Sequence, residues 1–61
     1  MTMSSKKLIR LLRRKGWYKV KQEGYHLRMR KEGSNDIIIP VHNKDLPKGL
    51  LIKILKQAQI D

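Results

Sequence analysis

The side chains best suited to chemistry in this sequence lie in one short stretch, KQEGYHLRMR, from Lys21 to Arg30. It places His26 among Lys21, Arg28 and Arg30, with Lys19 just upstream and Gly24 and Tyr25 immediately before the histidine. Imidazole exchanges protons near neutral pH without special tuning. Fixed cations stabilise negative charge where it develops on a phosphate. RNA supplies its own nucleophile, the 2′-hydroxyl beside each phosphodiester. A base that removes its proton contributes typically about 10²–10⁴-fold. With cations to hold the crowded phosphorane, such a base can cut the strand without a metal ion. DNA lacks that hydroxyl and would be bound but not cut. The same residues would also suit a simple binding surface, and composition leaves both readings open.

Other chemistries find little support. The chain has no cysteine, so it offers no thiol nucleophile, disulfide or thiolate metal site. Glu23, Glu32, Asp36 and Asp45 are scattered, without the paired spacing of a two-metal nuclease or a glycosidase. His26 and His42 lack the spacing of a zinc motif. No glycine-rich loop precedes a helix, and Ser34 has no evident base partner. Neither a metal nor a small-molecule cofactor is implied. His42 remains a second titratable group, most simply read as a loop histidine near Asp45.

Charge narrows the partner. Fifteen Lys and Arg against five Asp and Glu give a net charge of +10 in 61 residues. Residues 1–31 hold eleven of the cations and Glu23 alone among acids, whereas residues 32–61 balance four against four. A field this one-sided attracts a polyanion, and release of its condensed counterions favours binding. The candidates are nucleic acid, an anionic membrane surface and an acidic protein, with nucleic acid preferred. No apolar run approaches the ~18 residues of a membrane span, and MTMSSKK lacks the apolar core of a secretory signal. The chain therefore reads as a soluble, cytoplasmic protein that does not enter membranes. A chain this short buries only roughly 60% of its unfolded surface, so one small domain over residues 1–61 is expected, with residues 1–4 flexible.

These residues need elements to position them. In SSKKLIRLLRRKG, Leu8, Ile9, Leu11 and Leu12 fall on one side of a helix and Lys6, Arg10, Arg13 and Arg14 on the other. Ser4 or Ser5 can cap its start, and Gly16 can take the left-handed stop, which predicts a helix over 6–15. A second helix follows Pro47, which suits a first turn, with Leu50, Leu51, Ile54, Leu55 and Ala58 as its apolar stripe. Ile52 points away from that stripe. WYKVKQ and YHLRMR alternate as strands, and DIIIPV is a short β-branched strand ended by proline. The order is α-β-β-β-α. A three-stranded antiparallel sheet with both helices on one face would bury both stripes, an α+β fold.

Register then decides which way His26 points. A two-residue turn at Glu23-Gly24 pairs Lys21 with His26, Val20 with Leu27, Lys19 with Arg28 and Tyr18 with Met29. Tyr18, Val20, Leu27 and Met29 would then face the helices. Lys19, Lys21, His26, Arg28 and Arg30 would share the outer face. In the third strand Ile37, Ile39 and Val41 would point inward, with Ile38, Pro40 and His42 on the His26 face.

Three segments resemble the HicA toxin family: LIRLLRRKGWYKV, EGYH, and IPVHNKDLPKGLLIKILKQAQ. The likeness covers nearly all of the chain after Ser5, and its closing segment is the most specific. The resemblance implies a fold similar to a double-stranded RNA-binding domain. It implies a toxin that cleaves mRNA as an endoribonuclease and is held inactive by a HicB antitoxin. The family's glycine–serine–histidine turn makes His26 the implied catalytic residue, with Gly24 in the glycine position. Tyr25 stands where the family has serine, and Gln59 where it usually has glycine. An acidic HicB surface is expected to cover the cationic face, with Trp17 and Ile52 as apolar anchors and with a salt-sensitive contact. Lys19, Lys21, Arg28, Arg30, Gly24 and Tyr25 are the expected RNA contacts, with His42 secondary. The alternatives are a non-catalytic RNA-binding module of the same shape, and a DNA-binding protein using the basic first helix.

Overall fold

The computed structural model describes residues 3–42 and 44–60. Five elements follow in the expected order: α1 (Ser5–Arg14), β1 (Tyr18–Glu23), β2 (His26–Arg30), β3 (Ile37–Pro40) and α2 (Lys48–Gln57). The strands form one antiparallel sheet in the order β1-β2-β3. Leu8, Ile9 and Leu12 of α1 and Leu51 and Ile54 of α2 join Leu27, Met29, Ile37 and Ile39 in one buried cluster. Both helices therefore cover one face of the sheet, as the two apolar stripes demand. Among the described residues, no helix is long and apolar enough to cross a membrane.

Local chemistry sets the ends of α1. Ser4 is the N-cap: its hydroxyl accepts from the Lys7 N–H at 3.2 Å. Ser5, the other candidate cap, is instead fully buried as the first helical residue. Gly16 has φ +98, and the Trp17 and Gly16 amides donate back to the Leu12 and Arg13 carbonyls. That is the glycine-ended closure in which a left-handed residue lets two amides cap free carbonyls. The end of α2 repeats the pattern with Gln59 at φ +58: Ile60 donates to Leu55 and Gln59 to Lys56. Of the segment 1–4 expected to be flexible, residues 1 and 2 lie outside the described residues. Met3 accepts from the Leu46 amide at 2.9 Å, and Ser4 pairs with Asp45 as a single antiparallel bridge.

The β1–β2 hairpin departs from the expected register. Glu23 pairs with His26, so the two-residue loop is Gly24-Tyr25 rather than Glu23-Gly24. Gly24 has φ +57. Glycine at the first central position is the requirement of a type II′ hairpin turn, and this preference moves the loop by one residue and the partner of each β1 residue by two. A bulge between Lys19 and Lys21 then shifts it back: Lys21 faces Arg28, but Lys19 faces Met29 and Tyr18 faces Arg30. The relocated turn moves each partner by two and leaves the faces as expected, whereas the bulge is a slip of one residue and exchanges them from Lys19 back towards Tyr18.

Three expected positions are corrected as a result. Tyr18, expected inward, lies opposite outward-facing Arg30 and is 51% exposed. Val20, the extra residue of the bulge, is 40% exposed. Lys19, expected beside His26, projects on the helix side of the sheet opposite Met29. The space left at this edge of the core is filled by Trp17, only 2% exposed, so Trp17 is a core residue and not a surface anchor. β2 and β3 follow the expected alternation, with Leu27, Met29, Ile37 and Ile39 buried and His26, Arg28, Arg30 and Ile38 exposed.

Candidate functional site

The uncovered face of the sheet carries the residues suited to chemistry. β2 is the central strand, so its alternation is fixed by pairing on both sides: His26 lies between Glu23 of β1 and Pro40 of β3. Arg28 lies between Lys21 and Ile38. These positions converge on an open cleft of about 330 Å³ lined by Lys21, Glu23, His26, Arg28 and Ile38. Leu27 and Met29, on the opposite side of the same strand, are anchored in the core. The cleft thus stands on a rigid element rather than on a loop.

Its cations are held by acids. Lys21 Nζ is 2.8 Å from Glu23 Oε1. Asp36 accepts from Arg30 through both oxygens, at 2.9 Å from Nε and 3.0 Å from Nη2, and from Arg28 Nη1 at 3.2 Å. The Arg30 hydrogen bonds, aided by Arg28, hold the Asp36 carboxyl below its ordinary pKa. The same contact holds the Arg30 guanidinium above its own. A carboxylate gripped through both oxygens in this way fixes the Arg30 guanidinium plane. Arg28 uses one nitrogen on Asp36, and its side chain is about half exposed. Exposed pairs of this kind are weak and can yield to a phosphate.

The hairpin tip next to His26 carries a braced aromatic pair. Tyr25, at the hairpin tip and 69% exposed, stacks on His42 with ring centroids 5.5 Å apart and planes 29° apart. Two backbone ties hold this pair in place. The Val41 amide donates to the Tyr25 carbonyl at 2.7 Å. The buried Ser5 hydroxyl donates to the Pro40 carbonyl at 2.8 Å and accepts from the His42 amide at 3.1 Å. An exposed aromatic face near a cleft that carries cations can stack a nucleobase.

Of the residues singled out in the sequence, His26, Lys21 and Arg28 come together in the cleft. Arg30 shares their face but is committed to Asp36. Gly24 and Tyr25 form the adjoining turn, and His42 stacks on Tyr25 and is not among the cleft's lining residues. Lys19 is absent from this site and lines a separate groove with α1. Two partners went unseen: Glu23 in the cleft and Asp36 on the arginines. Glycine as the first residue of a two-residue loop was the signal for Glu23. For Asp36, the alternation that puts Ile37 inward, carried one residue back, puts Asp36 outward. Among the described residues, no three of His, Asp and Glu gather in a way that could hold a metal ion.

The family description "HicA toxin of bacterial toxin-antitoxin" matches residues 5–60. Comparison with curated proteins gives no match.

Proposed function

This chain belongs to the HicA toxin family of bacterial toxin–antitoxin systems, and on that premise we propose that it is an mRNA-cleaving endoribonuclease whose reaction runs in the His26 cleft. The observation that carries the proposal is the convergence of His26, Lys21 and Arg28 on one open cleft of the uncovered sheet face. A strand entering the cleft brings a phosphodiester between these cations. The His26 imidazole takes the proton of the 2′-hydroxyl, and the resulting oxygen attacks the neighbouring phosphorus. The bond to the 5′-oxygen breaks, that oxygen takes up a proton from water, and the strand leaves a 2′,3′-cyclic phosphate end. Lys21 and Arg28 stabilise the charge that accumulates on the phosphorane oxygens, where preorganised cations act most strongly. Displacing Glu23 and Asp36 from those cations is part of substrate entry. The Tyr25–His42 stack holds a base at the mouth of the cleft.

A cleft this open must be closed by something when the toxin is silent. In this reading a HicB antitoxin lays an acidic surface over it in the cytoplasm, shielding His26. Ile38, Tyr18 and Tyr25 are exposed apolar contacts on or beside the same face. The competing reading is a non-catalytic RNA-binding module, kept open by Tyr25 at the family's serine position. Incubating the purified chain with mRNA separates the two. Fragments that accumulate with time, together with growth arrest on induced expression, are expected. Binding without any cleavage would favour the module and overturn the proposal.

A further inference from the structure

The His26 face is not where most of the unpaired positive charge lies. Its three cations, Lys21, Arg28 and Arg30, each have an acid partner, Glu23 or Asp36. A second groove, of about 570 Å³, is lined by Lys6, Arg10, Arg13, Arg14 and Lys19 around Ile9. It holds five cations and no acid, and among the described residues none of the five is in an ion pair. Lys6, Arg10 and Arg13 or Arg14 recur at helical spacing and so form one row along α1. At 1.5 Å per residue, that row runs about 12 Å, enough to meet more than one phosphate of a strand.

Lys19 joins the row because of the β1 bulge. Residues two apart on a strand ordinarily share a face. Here Lys19 and Lys21 do not: Lys19 lies opposite Met29 on the helix side and Lys21 opposite Arg28 on the His26 side. Bulges re-aim side chains in this way at functional edges. The two lysines therefore mark both sides of the free edge of the sheet, one in each groove. We propose that α1 and Lys19 form a second nucleic-acid site, a phosphate-binding groove that holds the RNA backbone and leads it over the β1 edge at Lys19 and Lys21 into the His26 cleft. Charge complementarity selects this occupant. Ile9 is the single apolar lining residue, so the groove lacks the apolar and aromatic centre of a protein interface. Leu8, Ile9 and Leu12 of α1 are spent on the core, and the half-buried Leu11 left outside it is too little apolar face to insert into a membrane.

This inference rests on the RNA-cleaving reading, and its test separates the two. The measurement is affinity for a labelled single-stranded RNA across a salt series, in a His26→Ala background that keeps the RNA whole. The groove variant combines Lys6→Gln, Arg10→Gln and Lys19→Gln. A charge-matched control combines Lys44→Gln, Lys48→Gln and Lys56→Gln. Circular dichroism confirms that both fold, since all six side chains are exposed. The groove variant should flatten the slope of log affinity against log salt by about 2 and weaken binding at least about tenfold near physiological salt. The control should leave slope and affinity nearly unchanged. A groove variant that binds like its parent overturns the groove while leaving the RNA reading intact. A parent that binds no RNA overturns both. Loss of antitoxin binding with RNA affinity unchanged assigns the groove to the protein partner and also overturns the proposal.

Discussion

Replacing Ser5 by alanine should cost more stability than replacing Ser4, although Ser4 is the helix cap. Ser4 satisfies one exposed amide, that of Lys7 at 3.2 Å. Loss of such a cap typically costs about 1 kcal/mol. Ser5 is fully buried, and its single hydroxyl serves two backbone groups thirty-five or more residues away, the Pro40 carbonyl and the His42 amide. Alanine leaves both without a partner, and each buried orphan costs about 1–3 kcal/mol. The strand end lies near the surface, where water can reach part of this loss, so about 2 kcal/mol is expected in total. A chain of this length has only about 3–9 kcal/mol of stability to lose. Thermal unfolding followed by circular dichroism should place Ser5→Ala about 8–16 °C below the parent and Ser4→Ala about 4–8 °C below it. Equal shifts, or a larger one for Ser4→Ala, would refute the reasoning that the buried hydroxyl pins the end of β3.

Three further outcomes follow from particular contacts. The Asp36 carboxyl is held below its ordinary pKa, first by Arg30, so its contribution is present above the unfolded carboxylate range and is lost as pH falls through the folded titration. Urea midpoints of Asp36→Asn should therefore fall less steeply in acid than those of the parent, and an unchanged acid limb would contradict this. Gln59 carries φ +58 at the end of α2, where a left-handed residue with a side chain costs roughly 1–2 kcal/mol. Gln59→Gly should raise the unfolding temperature by a few degrees, offset in part by the freer unfolded chain, and a fall would show that the turn needs the side chain. RNA cleavage should persist in EDTA, because the proposed proton transfer runs through His26, and loss of activity restored by magnesium would contradict that scheme.

The sequence carried the architecture because each element is specified locally and redundantly. Ser4, Gly16 and the Leu8–Ile9–Leu12 stripe define α1 by three independent signals. The alternation of β2 and β3 is enforced by burial of Leu27, Met29, Ile37 and Ile39. His26 and Arg28 were therefore legible as neighbours on the outer face. The register of β1 was not. It is an edge strand, exposed along its whole length, so burial does not penalise a slip there, and pairing is set by Gly24 and by the bulge at Val20. The relocated turn left Lys21 beside His26, and the bulge alone sent Lys19 to the helix side. Alternation alone cannot anticipate a bulge. Trp17 was misplaced for the same reason, since it fills the core at the edge where Tyr18 and Val20 turn outward.

The most direct test of the account compares RNA products of the parent chain with those of His26→Ala. The parent should release fragments ending in 2′,3′-cyclic phosphate. The variant should keep its fold and much of its affinity for RNA but release no fragments. Undiminished cleavage by His26→Ala would contradict the central claim that the exposed imidazole on β2 moves the proton.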